Sequence, residues 1–420
     1  MKRGRLVVVL AMLVSCLPAG QLARAQDSGL PELLTLPELL RLVAARSPRL
    51  AVERVGIDAA QAERTTAGAL PNPTISYGRS RPSGGAPNSV IDGTRQQQAG
   101  IDLPVLIAGQ RGARVEAAEQ GVLGARARVD LAASELALRA AELHAGLQAA
   151  QEKGVVLGEA QGEFEHAAAL ISGRLESGMA SRYDLARVEI EVANIAVRLA
   201  EARADAAEKS AAIAALLGAP GWRPRAAGVL RPGTQQGGGS AGLPALAGNP
   251  QIIAARRDED TARAAVRRAE LERWPVPTLS LSRTWTSEPF GAANFFGFST
   301  EVPLFDTRRG QLEKAQAELR AAERRREAIE AEAGVELRRL QEALVQRRAA
   351  LERFERRVDL RSPALRQMAE DAYRLGRSTV LELIDAARTR VDARITEIDL
   401  RAFTVQQELR ILALTGGLAR

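Results

Sequence analysis

The residues best placed to act on charged solutes are acids that follow two glycine-centred turns. Asp184 stands six residues after Gly178, and Glu382 stands six residues after Gly376. Asp385 follows Glu382 by three residues, so the two carboxylates share one face of a helix. Two interpretations are open: carboxylates that attract cations at a constriction, or acids that only stabilise the positive N-terminal end of a helix.

The sequence offers little material for catalysis or for a resident metal. It has no nucleophile–base set and no glycine loop for phosphate, and imidazole could come only from His144 and His166. A lone histidine on a long helix is most often a surface residue, so both are predicted to be exposed. We therefore predict that the chain is not an enzyme, has no cofactor and has no metal site.

The first 25 residues have the features of a secretion signal. A basic start at Lys2–Arg5 precedes the apolar run Leu6–Leu17, and Ala23-Arg24-Ala25 matches a small-x-small cleavage site. Cys16, the only cysteine, lies in this leader and also fits a bacterial lipidation motif. Cleavage after Ala25 and lipidation of Cys16 are alternatives, and both predict export from the cytoplasm.

The charge pattern argues against a nucleic acid partner. The net charge is +7, and four of the positive charges lie in the leader, which leaves +3 for the body. Arginine and glutamate alternate along the predicted helices, which is typical of solvated faces joined by i,i+4 pairs. No basic stripe with interleaved aromatic residues is present.

A set of landmarks occurs twice, which predicts a duplicated unit. The Pro-x-Pro at Pro71–Pro73 returns at Pro275–Pro277, and Leu103-Pro104 returns as Val302-Pro303, at offsets of about 200 residues. We assign a signal peptide to residues 1–25, a first repeat to 26–217, a Gly/Pro-rich linker to 218–248 and a second repeat to 249–420. Each repeat is predicted to contain a helix, two strands and two long helices.

Two strand pairs with alternating polarity are predicted. Ile75 and Tyr77 alternate with small polar residues in the first pair, as Leu279, Leu281 and Trp285 do in the second. Such segments suit a membrane barrel with apolar side chains outward, and a buried hairpin of a soluble domain is the alternative. Four strands are too few to close a barrel, so several subunits would have to share one.

The long helices carry the strongest pattern. A helix over Gln110–Ser172 would be about 95 Å long at 1.5 Å per residue. A helix break is predicted near Ser47-Pro48, within Pro37–Ala69. Apolar residues recur at coiled-coil spacing in the later helices, at Leu185, Val188, Val192, Ile195, Leu199 and Ile213, at Leu337, Leu340 and Leu351, and at Ile384, Val391, Ile398, Ala402 and Leu409.

Together these features resemble the TolC family of outer-membrane efflux ducts, over essentially the whole mature chain. The motifs that carry the resemblance are the Pro-x-Pro before each first strand, the Leu-Pro or Val-Pro after each second strand, and the glycine turns. Residues 106–115 and 303–310 further resemble the CzcC-like heavy-metal efflux subgroup. The resemblance implies a mainly α fold with a small β part: a coiled-coil α-barrel beneath a β-barrel shared by a homotrimer.

The resemblance also implies roles for individual residues. Glu382 and Asp385 would line a periplasmic aperture as rings of negative charge, and Asp184 and Tyr373 would hold adjacent helices in the closed state. Gly178 and Gly376 would form the helix turns at the tip. Ser378 departs from the family pattern, in which an arginine takes part in the closed-state contacts.

The predicted function is a passive duct in the cell outer membrane, reaching into the periplasm. Its partners would be a periplasmic adaptor and an inner-membrane pump of the RND type, and its cargo heavy-metal cations. The alternative prediction for the cargo is drugs, or polypeptides exported by type I secretion. A periplasmic adaptor is disfavoured because the chain has two helical hairpins and few strands, and an exported structural coiled coil is disfavoured by the proline-bounded strands.

Overall fold

The structure is a computed structural model, and it describes most of the mature chain. The described residues are 29–80, 95–233, 246–288, 291–358, 368–369, 371–373, 375 and 377–418. The leader with Cys16, the turn glycine Gly376 and residues 234–245 of the predicted linker lie outside the described residues.

The described elements follow a similar order in the two halves of the chain, with two helices before the first strand pair and one before the second. The N-terminal half contains β1 (Leu33–Leu34), α1 (Leu36–Arg46), α2 (Pro48–Gly68), β2 (Thr74–Ser80), β3 (Gln96–Pro104), α3 (Gln110–Glu176) and α4 (Arg182–Leu216). The remainder contains β4 (Arg225–Ala226), α5 (Pro250–Glu272), β5 (Thr278–Thr286), β6 (Gly291–Ser299), α6 (Arg309–Val358) and α7 (Val380–Leu414). The fold is therefore mostly helical with a small β part, as predicted.

Local sequence signals explain where the first helices begin. The Glu38 carboxylate accepts a hydrogen bond of 3.0 Å from the Thr35 backbone N–H, which satisfies a free donor at the start of α1. Pro48 is the first residue of α2 and directly follows Ser47. Proline is tolerated there because the N–H that it lacks would have no partner in the first turn of a helix. The predicted break at this position is confirmed.

The four longer strands form one antiparallel sheet in the order β2-β3-β5-β6. One register row joins Ile75, Ile101, Leu281 and Phe296, so these apolar side chains share a face. That face is open to solvent, and Phe296 is 78% exposed. β2 and β6 each have one edge that no described strand pairs, so the sheet is open at both sides.

The helices pack side by side in the order α4-α3-α7-α6. α3 has 67 residues and is about 100 Å long, so its two ends lie far apart: the sheet is at one end and the turn into α4 at the other. Most residues of the predicted seams are buried, including Val188, Ile195 and Leu199 from α4, and Leu185 and Val192 are half-buried. Among the described residues, no helix is both long and apolar enough to cross a membrane.

The predicted exposure of the two histidines is right for His166 and wrong for His144. His144 is only 3% exposed, and its Nε2–H donates a hydrogen bond of 2.8 Å to the carbonyl oxygen of Leu34. The cause is tertiary: β1 pairs in parallel with β4, and this short ladder covers α3 at His144. Burial is the main effect on the ring and lowers the pKa of His144, and the hydrogen bond to Leu34 opposes it.

The lowered pKa of His144 predicts a pH-dependent stability. The unfolded chain binds a proton near the ordinary pKa of 6.5, whereas the folded chain resists protonation. Stability is therefore full above pH 6.5 and falls as the pH drops towards the folded-state pKa. In thermal unfolding between pH 7.5 and pH 5, His144→Gln should flatten the decline, because glutamine can donate to Leu34 and does not titrate. An unchanged pH profile in this variant would contradict the assignment.

Candidate functional site

The start of α7 holds the two acids of the predicted aperture. The Glu382 backbone N–H donates to Thr379 Oγ1 at 3.3 Å, and the Thr379 N–H donates to the Glu382 carboxylate at 3.2 Å. Glu382 thus closes a capping box at the first turn of α7. Asp385 lies one turn further on, is exposed, and has no hydrogen bond or ion pair with any described residue.

The start of α4 repeats this arrangement with one difference. Ser181 caps α4, and Asp184 closes the capping box with hydrogen bonds of 3.1 Å in both directions. The position that corresponds to Asp385 is taken by Arg187, which donates to the Tyr183 hydroxyl at 3.1 Å. Glu382 and Asp184 therefore both cap their helices, whereas Asp385 has no capping role.

The turn between α3 and α4 is built around Gly178. Its φ of 74° is left-handed, a conformation that favours glycine. Its N–H donates to Leu175 at 3.0 Å, and the next N–H, from Met179, donates to Arg174 at 2.7 Å. These two bonds satisfy the last free carbonyls of α3, so α3 ends here and the chain reverses into α4.

Tyr373 fastens the segment before α7 to the end of α3. Its ring is 7% exposed and carries the Arg174 guanidinium 4.4 Å from its centroid. It packs in one cluster with Phe164, Ile171 and Val380. Asp184 and Tyr373 are not joined by a hydrogen bond, so each holds its own helix end and the two form no common contact in the described structure.

Ion pairs between helices fix the position of α7, and sequence reasoning missed them. Arg388 binds both carboxylate oxygens of the buried Glu191 on α4, at 2.7 and 3.0 Å. Three further pairs join α7 to α3: Arg390 with Glu163, Asp399 with Lys153 at 2.6 Å, and Arg410 with Glu142 at 2.8 Å. The alternating charges in the sequence predicted ion pairs within one helix. Many of the ion pairs in the structure instead connect neighbouring helices.

The Arg388–Glu191 pair should matter more than an exposed pair nearby. We expect Arg388→Met to lower the free energy of unfolding by about 2–3 kcal/mol, because it leaves a buried carboxylate without its cation. The matched control is Arg198→Met, which breaks the more exposed 2.9 Å pair with Asp392 and should cost less than about 1 kcal/mol. Denaturant unfolding of both variants in detergent measures the difference, and equal losses would contradict this ranking.

The carboxylates of the candidate site are charged groups that are open to solvent. No group of three or more His, Cys, Asp or Glu side chains suited to holding a metal ion occurs in the described part of the chain. Glu382 and Asp385 are both exposed at the tip end of the helices, where they can attract cations through their charge alone.

Comparison with known proteins gives consistent results over the whole mature chain. The family model described as outer membrane efflux protein matches residues 39–219 and again 244–417. The cobalt-zinc-cadmium resistance protein CzcC of Cupriavidus metallidurans is 24% identical over 387 residues, which cover 91% of this chain and 90% of that protein. The nickel-cobalt-cadmium resistance protein NccC of Alcaligenes xylosoxydans xylosoxydans is 28% identical over 70% of this chain and 67% of its own length.

A solved structure has the same fold. The outer membrane protein VceC of Vibrio cholerae superposes with a TM-score of 0.75 at 19% identity, over 92% of this chain and 97% of that chain. The family match covers most of the chain and falls in both halves, on either side of the linker. The chain therefore belongs to the outer membrane efflux protein family.

Proposed function

We propose that this efflux protein is a passive trimeric duct that passes heavy-metal cations from the periplasm to the exterior. Each chain would contribute two repeats, 26–217 and 249–420, joined by the linker 218–248. An RND-type pump of the inner membrane would supply the energy, and a periplasmic adaptor would dock at the helix tips. The observation that carries the proposal is an exposed apolar seam on α4.

The seam on α4 consists of nine apolar residues at alternating spacings of three and four. All are exposed, and they are Tyr183, Ala186, Ile190, Ala193, Val197, Ala200, Ala204, Ala207 and Ala211. This spacing is that of a coiled-coil contact, and it lies on the side of α4 that faces away from α3. A nine-residue apolar stripe without one charge is unusual for a face that remains in water.

Seven of the nine corresponding positions are buried or half-buried in α7, which begins at Val380 where α4 begins at Arg182, an offset of 198 residues. The other two are the exposed Leu381 and Arg388. Five positions of the α4 seam correspond to buried residues of α7, namely Ile384, Val391, Ile398, Ala402 and Leu409. In α7 this seam packs against α3, where Ile398 and Ala402 share a buried cluster with Ala141 and Ala145. Since α6 is the repeat counterpart of α3, the α4 seam finds an equivalent partner in α6 of a second chain.

The sheet supports the same assembly. β3 pairs with β5 across the two halves of the chain, and by repeat equivalence β6 of one copy would pair with β2 of the next. Both edges are open within the described sheet, and the contact joins unlike surfaces, so successive copies form a ring when the rotation closes. Three copies would give twelve strands, enough for a barrel with its apolar face outward.

The cargo is assigned from the acids and from the relatives. Three copies of Glu382 and Asp385 would form rings of negative charge at the tip, which favour cations over anions. Asp184 and Tyr373 would hold the helix ends in the closed state, and Gly178 and Gly376 would shape the turns. The similar proteins CzcC and NccC are named as metal-resistance proteins.

Deletion of the gene in its host tests the function. We expect the deleted strain to retain more cobalt, zinc and cadmium, and the restored gene to lower metal content again. Drug retention with unchanged metal content would favour the runner-up, a duct for drugs or polypeptides. Recovery of the mature chain as a soluble periplasmic monomer would contradict the duct itself.

A further inference from the structure

A cavity of about 400 Å³ lies where α3 meets three helices of the other repeat, α5, α6 and α7. It is far from the tip: its α3 residues lie between Leu131 and Glu142, in the middle of that helix. A cavity of this size is within the range of small-molecule sites. Most of its wall is apolar, formed by Leu131, Leu138, Pro250, Leu340, Ala413 and Leu414.

The charged groups of the cavity leave one carboxylate without a partner. Glu142 pairs with Arg410 at 2.8 Å, and Glu336 pairs with Arg339 at 2.5 Å. Glu135 also lines the cavity, is exposed, and has no hydrogen bond or ion pair with any residue in the described ranges. The cavity therefore has a net negative potential, with an available acceptor at Glu135.

A hydroxyl next to this carboxylate, on a mostly buried residue, also has no hydrogen-bond partner among the described residues. Ser134 lines the cavity, is only 5% exposed, and makes no hydrogen bond to a described residue. Its oxygen remains accessible, because the fully buried side-chain oxygens without a partner among the described residues are those of Ser47, Ser378 and Gln407. Ser134 and Glu135 both line the cavity, so a donor group bound there can contact both side chains.

We propose that this cavity binds a small organic cation with an apolar body, such as a primary amine on a hydrocarbon or aromatic group. Its ammonium would donate to the Glu135 carboxylate and to Ser134 Oγ, and its body would lie against the leucines. An organic anion is disfavoured by the unpaired carboxylate of Glu135, since the arginines at Glu142 and Glu336 are already paired with those carboxylates. A bare metal ion is disfavoured by the apolar wall and by the small number of free ligands. The site is separate from the proposed aperture and does not depend on the duct function.

The position of the cavity gives binding a measurable consequence. The wall comes from α3 of the first repeat and from three helices of the second, so a bound amine would hold the repeats together. A ligand that binds only the folded chain raises its stability with concentration. Phenethylamine, which is protonated at neutral pH, is a suitable probe, and 3-phenylpropanoate is an anion of similar size.

Calorimetric titration of the full mature chain in detergent, with thermal unfolding as a second readout, tests the proposal. We expect saturable binding of phenethylamine and a higher Tm, no binding of 3-phenylpropanoate, and about tenfold weaker binding for Glu135→Gln, which loses a charge-assisted hydrogen bond. Leu138→Trp should fill the cavity and abolish binding. Glu201→Gln, an exposed acid on α4, should bind as the native chain does.

Three results would overturn the proposal. They are no saturable binding by the native chain at millimolar amine, equal binding of the anion, or unchanged affinity in Glu135→Gln. Glu135 is exposed and unpaired, so its variant should fold normally and keep the test decisive even if Leu138→Trp does not fold.

Discussion

The double variant Ala193→Glu/Ala200→Glu is expected to abolish the trimer. Both alanines are exposed in the single chain, and glutamate is a good helix former, so the monomer should fold as before. In the proposed trimer the two positions are buried against α6 of the next copy, as the equivalent Val391 and Ile398 are buried in α7. Burying unpaired carboxylates costs several kcal/mol, and each 1.4 kcal/mol is a factor of about ten in association.

Asn194→Glu is the control, because it adds one carboxylate, half the charge of the double variant, at an exposed position one residue away from the seam. Light scattering coupled to size-exclusion chromatography in detergent should give a trimer for the native chain and for the control, and a monomer for the double variant. A trimer that survives the double variant would mean that the α4 seam is not an interface.

The second large effect is expected at the aperture. Glu382→Gln/Asp385→Asn should remove most of the cation preference of channels in planar bilayers, because it deletes both proposed rings of charge. Amide replacements test the role of charge more specifically than alanine replacements would, because glutamine can still close the capping box with Thr379. The start of α7 should keep its structure, so a change in ion preference can be attributed to charge.

The control for the aperture is Glu189→Gln/Glu201→Gln, which removes two exposed carboxylates from α4. Reversal potentials in a salt gradient should match those of the native chain for the control and move towards zero for the aperture variant. If the two variants behave alike, Glu382 and Asp385 act only at the helix end and do not control the passage of ions.

Much of the fold could be predicted because local signals and tertiary packing agree. Proline and glycine residues indicated the helix break at Ser47 and the turn at Gly178. Heptad spacing identified the buried seam of α7. These signals depend on residues near one another in the sequence, and no tertiary contact overrides them here.

Contacts between distant residues could not be predicted in this way. His144 was expected at the surface, because nothing near it in sequence shows that β1 and β4 will cover α3 there. The same limit applies to Arg388 and Glu191, which meet only when α7 and α4 pack together. The α4 seam had a detectable signal, its second series of apolar positions, but its exposure became visible only in the folded chain.

The most direct measurement of the trimeric duct is a disulfide between copies. Two ion pairs, Lys153 with Asp399 and Glu142 with Arg410, set the register of α7 along α3. If α4 packs along α6 of the next copy in the same register, Ala207 lies level with Val345. Both residues are exposed in the single chain.

Cys16 lies in the leader, and the mature body contributes no cysteine of its own. Oxidation of Ala207→Cys/Val345→Cys should therefore give bands of one, two and three linked chains on a denaturing gel, and no larger band. Neither single variant should give the two-chain and three-chain bands. Only monomers from the oxidised double variant, or a ladder that continues beyond three, would contradict the proposed duct.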